Sequence, residues 1–335
     1  MGKSEALDWI LSSDEPWARF LAYRDIAGVA VSDPAVANAK REMLQHPLLQ
    51  QLVARAREWP GYALKRHNDA AHPLYAITTL ADFGLVSSDA EVDLIAEAIL
   101  QNFDGDEFET LVWLPRFLTK EKDDERWTWM LCDAPSLLYA LLSFGYASHP
   151  DVERAVAVLL ERVEHNGWRC GAASSLPSFS GPGRKLDTCP IATTYALKAL
   201  ALVPEAVESD GASAGVSALL DHWEHQTDYK LKMFGIGTDF RKLKYPFVWY
   251  DILHVADVLS RYPQALGDSR LAAMVGEITN QADNEGRFCA GSMYRAWKDW
   301  SFADKKQPSP HLTMLVLRIE QRLDSTVARS ATSGC

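Results

Sequence analysis

The side chains best suited to chemistry in this 335-residue sequence fall into three groups. Asp251 and His254 stand three apart after Trp249 and Tyr250, a spacing that puts both on one helix face. A carboxylate there can orient an imidazole for general acid/base work, with Tyr250 alongside. An acid on an otherwise apolar helix is costly unless paired, and a structural hydrogen bond to a neighbouring loop is the competing account. His67 and His72 are five apart, so no single helix face presents both. His67 falls in a loop and His72 at the next helix start, where either serves proton transfer or plain capping. The third group is thiols: Cys132 beside Asp133, Cys170, and Cys189 after Asp187-Thr188. Cys132, Cys170, Asp187 and Cys189, with Asp133 or a histidine near, could hold zinc with an open position. One of these thiols at a helix N-terminus could instead act as a nucleophile. Packing as small hydrophobes is the plain alternative, and zinc aside, no cofactor is expected.

Basic residues gather as Arg184-Lys185, as Arg241-Lys242 with Lys244, and as Arg295 with Lys298, followed by Lys305 and Lys306. In an acidic chain, such clusters at helix N-termini favour a carboxylate or phosphate. Arg184, Lys185, Arg295 and Lys298 are therefore expected to clamp an anionic group. Trp168, Trp249 and Trp300 are the expected walls for the ligand's apolar body. The alternative is that these cations are solvated or pair with Asp239, Asp299 and Asp304.

Helices must position these groups, because most apolar residues recur at helical spacing and no convincing alternating strand is found. Apolar helices are predicted to begin near Pro16, His72, Asp133, Pro190, Pro246 and Pro310. More amphipathic ones lie near 33–58, 89–103, 149–164, 213–226 and 268–283, and 4–11 pairs with the last apolar helix. Gly28, Gly84 and Gly145 read as left-handed helix stops, and Asp33, Asp89 and Asp151 as lying at or beside the N-caps that follow. A loop carrying Trp59, Trp113, Trp168, Phe234 or Phe288 precedes the later apolar helices. A helix apolar all round is buried, so the alternation predicts an all-α fold, an (α/α)6 toroid of six inner and six outer helices. A single domain over 1–323 is expected, with 324–335 a disordered tail. The loops before the inner helices would then share one mouth, where the candidate residues concentrate.

Composition narrows the partners. Hydrophobic residues at 47% with 24% charged describe a folded globule. Against 34 lysines and arginines stand 45 acids, a net charge of −11 that disfavours nucleic acid and anionic membrane surfaces. No apolar run approaches the roughly 20 residues of a membrane span. Five widely spaced cysteines without an export signal read as reduced thiols in a cytoplasmic protein.

The Gly-aromatic loops leading into small-residue helices, as in Asn166-Gly167-Trp168-Arg169-Cys170 and then Cys189-Pro190-Ile191-Ala192, carry a resemblance. Over about its full length the chain resembles the α/α-toroid superfamily of squalene and terpene cyclases and protein prenyltransferase β-subunits. That resemblance implies a cyclase, lyase or isoprenoid transferase acting on a hydrophobic or aromatic small molecule with an anionic group. It also implies a zinc set of Asp187 and Cys189 with a distant histidine, for which His311 is the candidate. Several motifs depart from the pattern. Asp104-Gly105-Asp106-Glu107 is the nearest string to the protonating Asp-x-Asp-Asp motif, but it is expected in a solvated loop. Asp123-Asp124-Glu125 is not the metal-binding motif of class I synthases, and no glutamine precedes Gly167-Trp168. Degraded motifs also suit a non-catalytic binding protein descended from such enzymes.

Overall fold

Proline decides where many of the helices begin. Its locked φ and missing N–H suit the first turn, where Pro16, Pro34, Pro73, Pro150 and Pro190 all stand. The computed structural model describes residues 3–119, 122–176, 187–226 and 238–332, and over these the chain is mostly helical. The first helices are α1 (Lys3–Leu11), α2 (Pro16–Asp25), α3 (Pro34–Gln45), α4 (Pro47–Arg57), α5 (Pro73–Asp82) and α6 (Val92–Leu100). A hairpin of β1 (Thr110–Leu114) and β2 (Asp124–Thr128) encloses the short α7 (Arg116–Thr119). Then come α8 (Ala134–Phe144), α9 (Pro150–Glu161), α10 (Pro190–Leu200), α11 (Pro204–Val207) and α12 (Asp210–Glu224). The last are α13 (Ile252–Leu259), α14 (Pro263–Leu266), α15 (Ser269–Thr279) and α16 (Pro310–Thr332). None of the described helices is long and apolar enough to cross a membrane.

The chain divides into two compact units. One comprises Met1–Gln51, Thr238–Pro246 and Asp251–Cys335; the other comprises Leu52–Gly237 and Phe247–Tyr250. In the first unit, α2 packs on α16 and α16 on α13, with α1 and α3 against α2 and α15 against α13. In the second, α8 lies between α5 and α10, with α9 against α8 and α12 against α10. All of α10 is buried, whereas α9 buries Val152, Ala155, Val158 and Leu159, one stripe at helical spacing. Trp168 sits between these layers with no exposed surface, and its indole N–H donates to Leu159 O at 2.8 Å. A Cβ on Gly215 of α12 would come within 2.5 Å of that ring, so only glycine lets the helix approach.

Several expected boundaries need correction. The helix expected at Pro246 starts at Ile252, because Asp251 adopts an extended backbone and caps Leu253 N–H and His254 N–H. The expected 33–58 helix breaks at His46, which the following Pro47 forces into the extended region, with ψ 132°. Asp89 closes a turn on Val86 N–H while Glu91 is the N-cap of α6, and His149, not Asp151, caps α9. Gly28, Gly84 and Gly145 do adopt positive φ, at 62°, 76° and 99°. The chain is not purely helical, because Thr110 to Leu114 pairs antiparallel with Thr128 to Asp124. That strand escapes a period-two search because Leu111, Val112, Trp113 and Leu114 are apolar on both faces. The expected disordered tail is instead helical as far as Thr332, where α16 lies against α1 and Lys3 Nζ meets Asp324 Oδ2 at 2.6 Å.

Candidate functional site

Three segments of the second unit are laced together ahead of α8 and α10. Residues 168–173 form the middle one. On one side, Leu131 N–H donates to Gly171 O at 2.9 Å and Ala173 N–H to Trp129 O at 3.1 Å. On the other, Cys189 N–H donates to Trp168 O at 2.8 Å, and Arg169 bridges to Thr188. This lacing brings the segments that carry Cys132, Cys170 and Cys189 side by side, close enough for the thiols to shift one another's pKa. Gly171 keeps the approach close, since a Cβ there would lie 3.0 Å from Leu131 Cδ1. His67 arrives from the loop before α5. Tyr75 OH donates to its carbonyl, and Leu64 pairs with the hairpin through Leu64 N–H to Leu111 O at 2.8 Å. The strand that the sequence hides therefore helps to hold the histidine loop.

The imidazole of His67 lies between a carboxylate and a thiol. Its Nδ1 is 2.8 Å from Asp133 Oδ2, and its Nε2 is 3.4 Å from Cys132 Sγ. Asp133 is the N-cap residue of α8, yet its side chain caps no amide. It is 1% exposed and turned to the imidazole, whose own side chain stays 29% exposed. A carboxylate on Nδ1 keeps the proton there and directs the Nε2 lone pair at the thiol. Burial pulls the His67 pKa down, but the charge and hydrogen bond of Asp133 outweigh it and the net shift is upward. The Cys132 thiol is lowered by its bond with Cys170, yet burial and the Asp133 charge carry it up to about 11. Cys170 is raised by its bond with Cys132, and Cys189 by its bond with Cys170 and by burial. All three are neutral thiols at pH 7, whereas an activated cysteine nucleophile needs a lowered pKa. Tyr250 belongs to the same unit, with its phenol raised first by burial and then by the Cys189 charge.

The other expected site residues have different surroundings. His72 caps α5: its Nδ1 accepts from Leu74 N–H, and its Nε2 donates to Tyr62 O at 2.9 Å. With both nitrogens engaged and burial lowering its pKa, it is a structural histidine rather than a proton carrier. Burial lowers the pKa of His222 to about 4 against the charges of Asp221 and Asp187, and the carboxylate that meets His67 is Asp133. Trp168 is sealed in the core and offers a ligand no face. Trp249 is half-buried against Tyr250, with ring centroids 5.2 Å apart. In the first unit Trp300 stacks on Phe302, while Arg295 and Lys298 are exposed. There too, His311 packs on Tyr245 and Phe302, and Lys242 and Lys244 pair with Asp239. Arg184 and Lys185 lie outside the described residues. In the acidic string Asp104 and Gly105 are exposed in a loop, as expected, whereas Glu107 is fully buried beside Arg162 and raised by burial to about 8. No local signal in the sequence ties His67 to Cys132, which lies 65 residues away.

Asp251 and His254 do not form the expected carboxylate–imidazole pair through Oδ1, which accepts from the backbone N–H of Leu253 and His254 at 3.0 and 3.1 Å. Asp251 Oδ2 is buried without a hydrogen-bond partner, and burial raises the carboxyl from 3.8 to about 7. A raised folded-state pKa stabilises the fold below the unfolded pKa, and that contribution is lost as pH rises through about 7. Asparagine caps a helix as well as aspartate and has no charge to desolvate. Asp251→Asn is therefore expected to gain stability relative to wild type as pH goes from 5 to 8. Urea unfolding at both pH values checks this, and a difference independent of pH would show that Asp251 ionises freely.

No family model matches the chain, and the search of curated proteins finds no match. Among solved structures it is similar to a protein from Actinoplanes at 14% identity, over 97% of this chain and 98% of that one. The TM-score is 0.42, too slight a likeness to carry over a fold or a function.

Proposed function

We propose that the chain is an enzyme whose reaction centre is the cluster of His67, Asp133, Cys132, Cys170 and Cys189, working by electrostatic catalysis. Its substrate is read as a small molecule with an apolar or aromatic body and an anionic group. One observation carries the enzyme reading: Asp133 leaves its capping position unfilled and holds a half-exposed imidazole against a buried thiol. A residue kept only for stability would cap the helix, which is worth about 1 kcal/mol. Exposed Lys65 and Arg66 beside His67 support the anionic group. The fold is read as an α/α toroid. Supporting it, the inner helices begin at Pro16, Pro73, Ala134, Pro190, Ile252 and Pro310, alternating with α3, α6, α9, α12 and α15, while α1 packs on α16. A binding platform would want a continuous apolar surface. Among the described residues the exposed large apolar side chains are Val31, Tyr62, Leu94, Leu202 and Met293, each from a separate segment.

A thermal-shift panel of isoprenoid diphosphates, aryl carboxylates and fatty acids tests the reading. At about 100 times its dissociation constant, a true ligand stabilises the fold by about 2.7 kcal/mol, a shift of several degrees. At least one class should shift wild type, slow alkylation of half-buried Cys170, and do neither in His67→Ala. A panel without effect, or an effect that survives His67→Ala, removes the cluster as the reaction centre.

A further inference from the structure

We propose that the second unit binds one thiophilic divalent cation, zinc by chemical class, through His67 Nε2 and the thiolates of Cys132, Cys170 and Cys189. Asp133 stays outside the coordination sphere. The site is the one proposed above for catalysis, but the inference concerns binding and needs no substrate.

Geometry sets the ligand list. Zinc–nitrogen and zinc–sulfur bonds of about 2.0–2.1 and 2.3 Å place neighbouring tetrahedral ligands about 3.5 Å apart. His67 Nε2 and Cys132 Sγ stand 3.4 Å apart. Ligand atoms of His67, Cys132 and Asp133 all lie within 4.8 Å of one another. They still cannot share one ion, because Asp133 occupies Nδ1 while the thiol faces Nε2. An imidazole gives one nitrogen to an ion and its other N–H to a carboxylate, the arrangement that orients metal-binding histidines. Backbone pairing brings the other two cysteines alongside: Leu131 N–H donates to Gly171 O at 2.9 Å, and Cys189 N–H to Trp168 O at 2.8 Å. The backbone lacing that gathers them holds without any ion. Three soft sulfurs and one imidazole select a thiophilic cation over calcium or magnesium, which take oxygen. The set differs from the Asp187, Cys189 and His311 implied by resemblance in taking its nitrogen from His67, whose Nε2 stands against Cys132 Sγ.

Coordination takes the sulfurs as thiolates and Nε2 as a free lone pair, so binding an ion displaces their protons to solvent. Affinity must therefore rise with pH.

The test is Co²⁺ titration of the reduced, metal-stripped full chain, with Zn²⁺ added afterwards. Expected are one equivalent bound, the intense visible bands of tetrahedral Co²⁺, near-ultraviolet thiolate charge transfer, and displacement by Zn²⁺. Asp133→Asn should weaken binding about 10–100-fold while leaving the charge-transfer intensity unchanged. Cys170→Ser should lower that intensity by about one third, and Asp187→Asn should change nothing. Absence of tetrahedral Co²⁺ in the wild type would overturn the proposal, as would weaker binding in Asp187→Asn but not in Asp133→Asn. The cobalt spectrum is read without substrate and the ligand panel can be run on stripped protein, so either reading can fail alone.

Discussion

Asp257→Ala is expected to cost the protein about 3–5 kcal/mol of stability, the usual penalty for removing one partner from a buried ion pair. Asp257 has no exposed surface and accepts from three arginines of the first unit. Arg261 Nη2 lies at 2.6 Å, Arg318 Nη2 at 3.1 Å and Arg322 Nη1 at 3.1 Å. Arg318 keeps a second carboxylate in Asp25, 3.0 Å away, whose pKa its arginine partners hold at about 2 against burial. Urea unfolding of wild type and Asp257→Ala measures the loss. A loss below about 1 kcal/mol would mean that water screens this network like a surface pair.

The second large effect belongs to the other unit. Lys198 is fully buried in α10, with Nζ 2.7 Å from Asp82 Oδ1 and 4.4 Å from the centre of the Tyr139 ring. Tyr139 OH donates to the same Asp82 oxygen at 2.7 Å. Asp82→Ala removes one partner of this buried ion pair and is again expected to cost about 3–5 kcal/mol. The double variant Asp82→Leu/Lys198→Met should recover most of that loss, because an apolar pair of similar volume needs no desolvation. Equal losses in the single and double variants would assign the effect to packing and not to charge. The thiol cluster should survive both changes. Lys198 is nine residues along α10 from Cys189, about 13 Å at 1.5 Å per residue.

Much of the helical framework can be read from the residues because its causes are local. Proline starts, glycine stops and the break before Pro47 act through the backbone of one or two neighbouring residues. Local rules misplace a boundary where a cap overrides them. Asp251 begins α13 six residues after the expected proline because its carboxylate satisfies two free amides at that point. The hairpin stays hidden because Leu111, Val112, Trp113 and Leu114 are all apolar, so residue type does not alternate although burial does.

The site divides along the same line. The sequence by itself picks out Cys132, Cys170 and Cys189 as a group, because each stands in a loop or cap ahead of an inner helix. It likewise marks His67 and His72 as candidates, but it does not separate them. Tertiary structure makes His72 a helix cap and places His67 between Asp133 and Cys132. It sets the carboxylate of Asp133, the neighbour of Cys132 in the chain, against that imidazole. The reason is range. Capping and helix termination are decided within a few residues, whereas the thiol–imidazole–carboxylate geometry joins residues 65 and 66 positions apart. Contacts at that separation form only after the segments have been laced side by side by backbone hydrogen bonds.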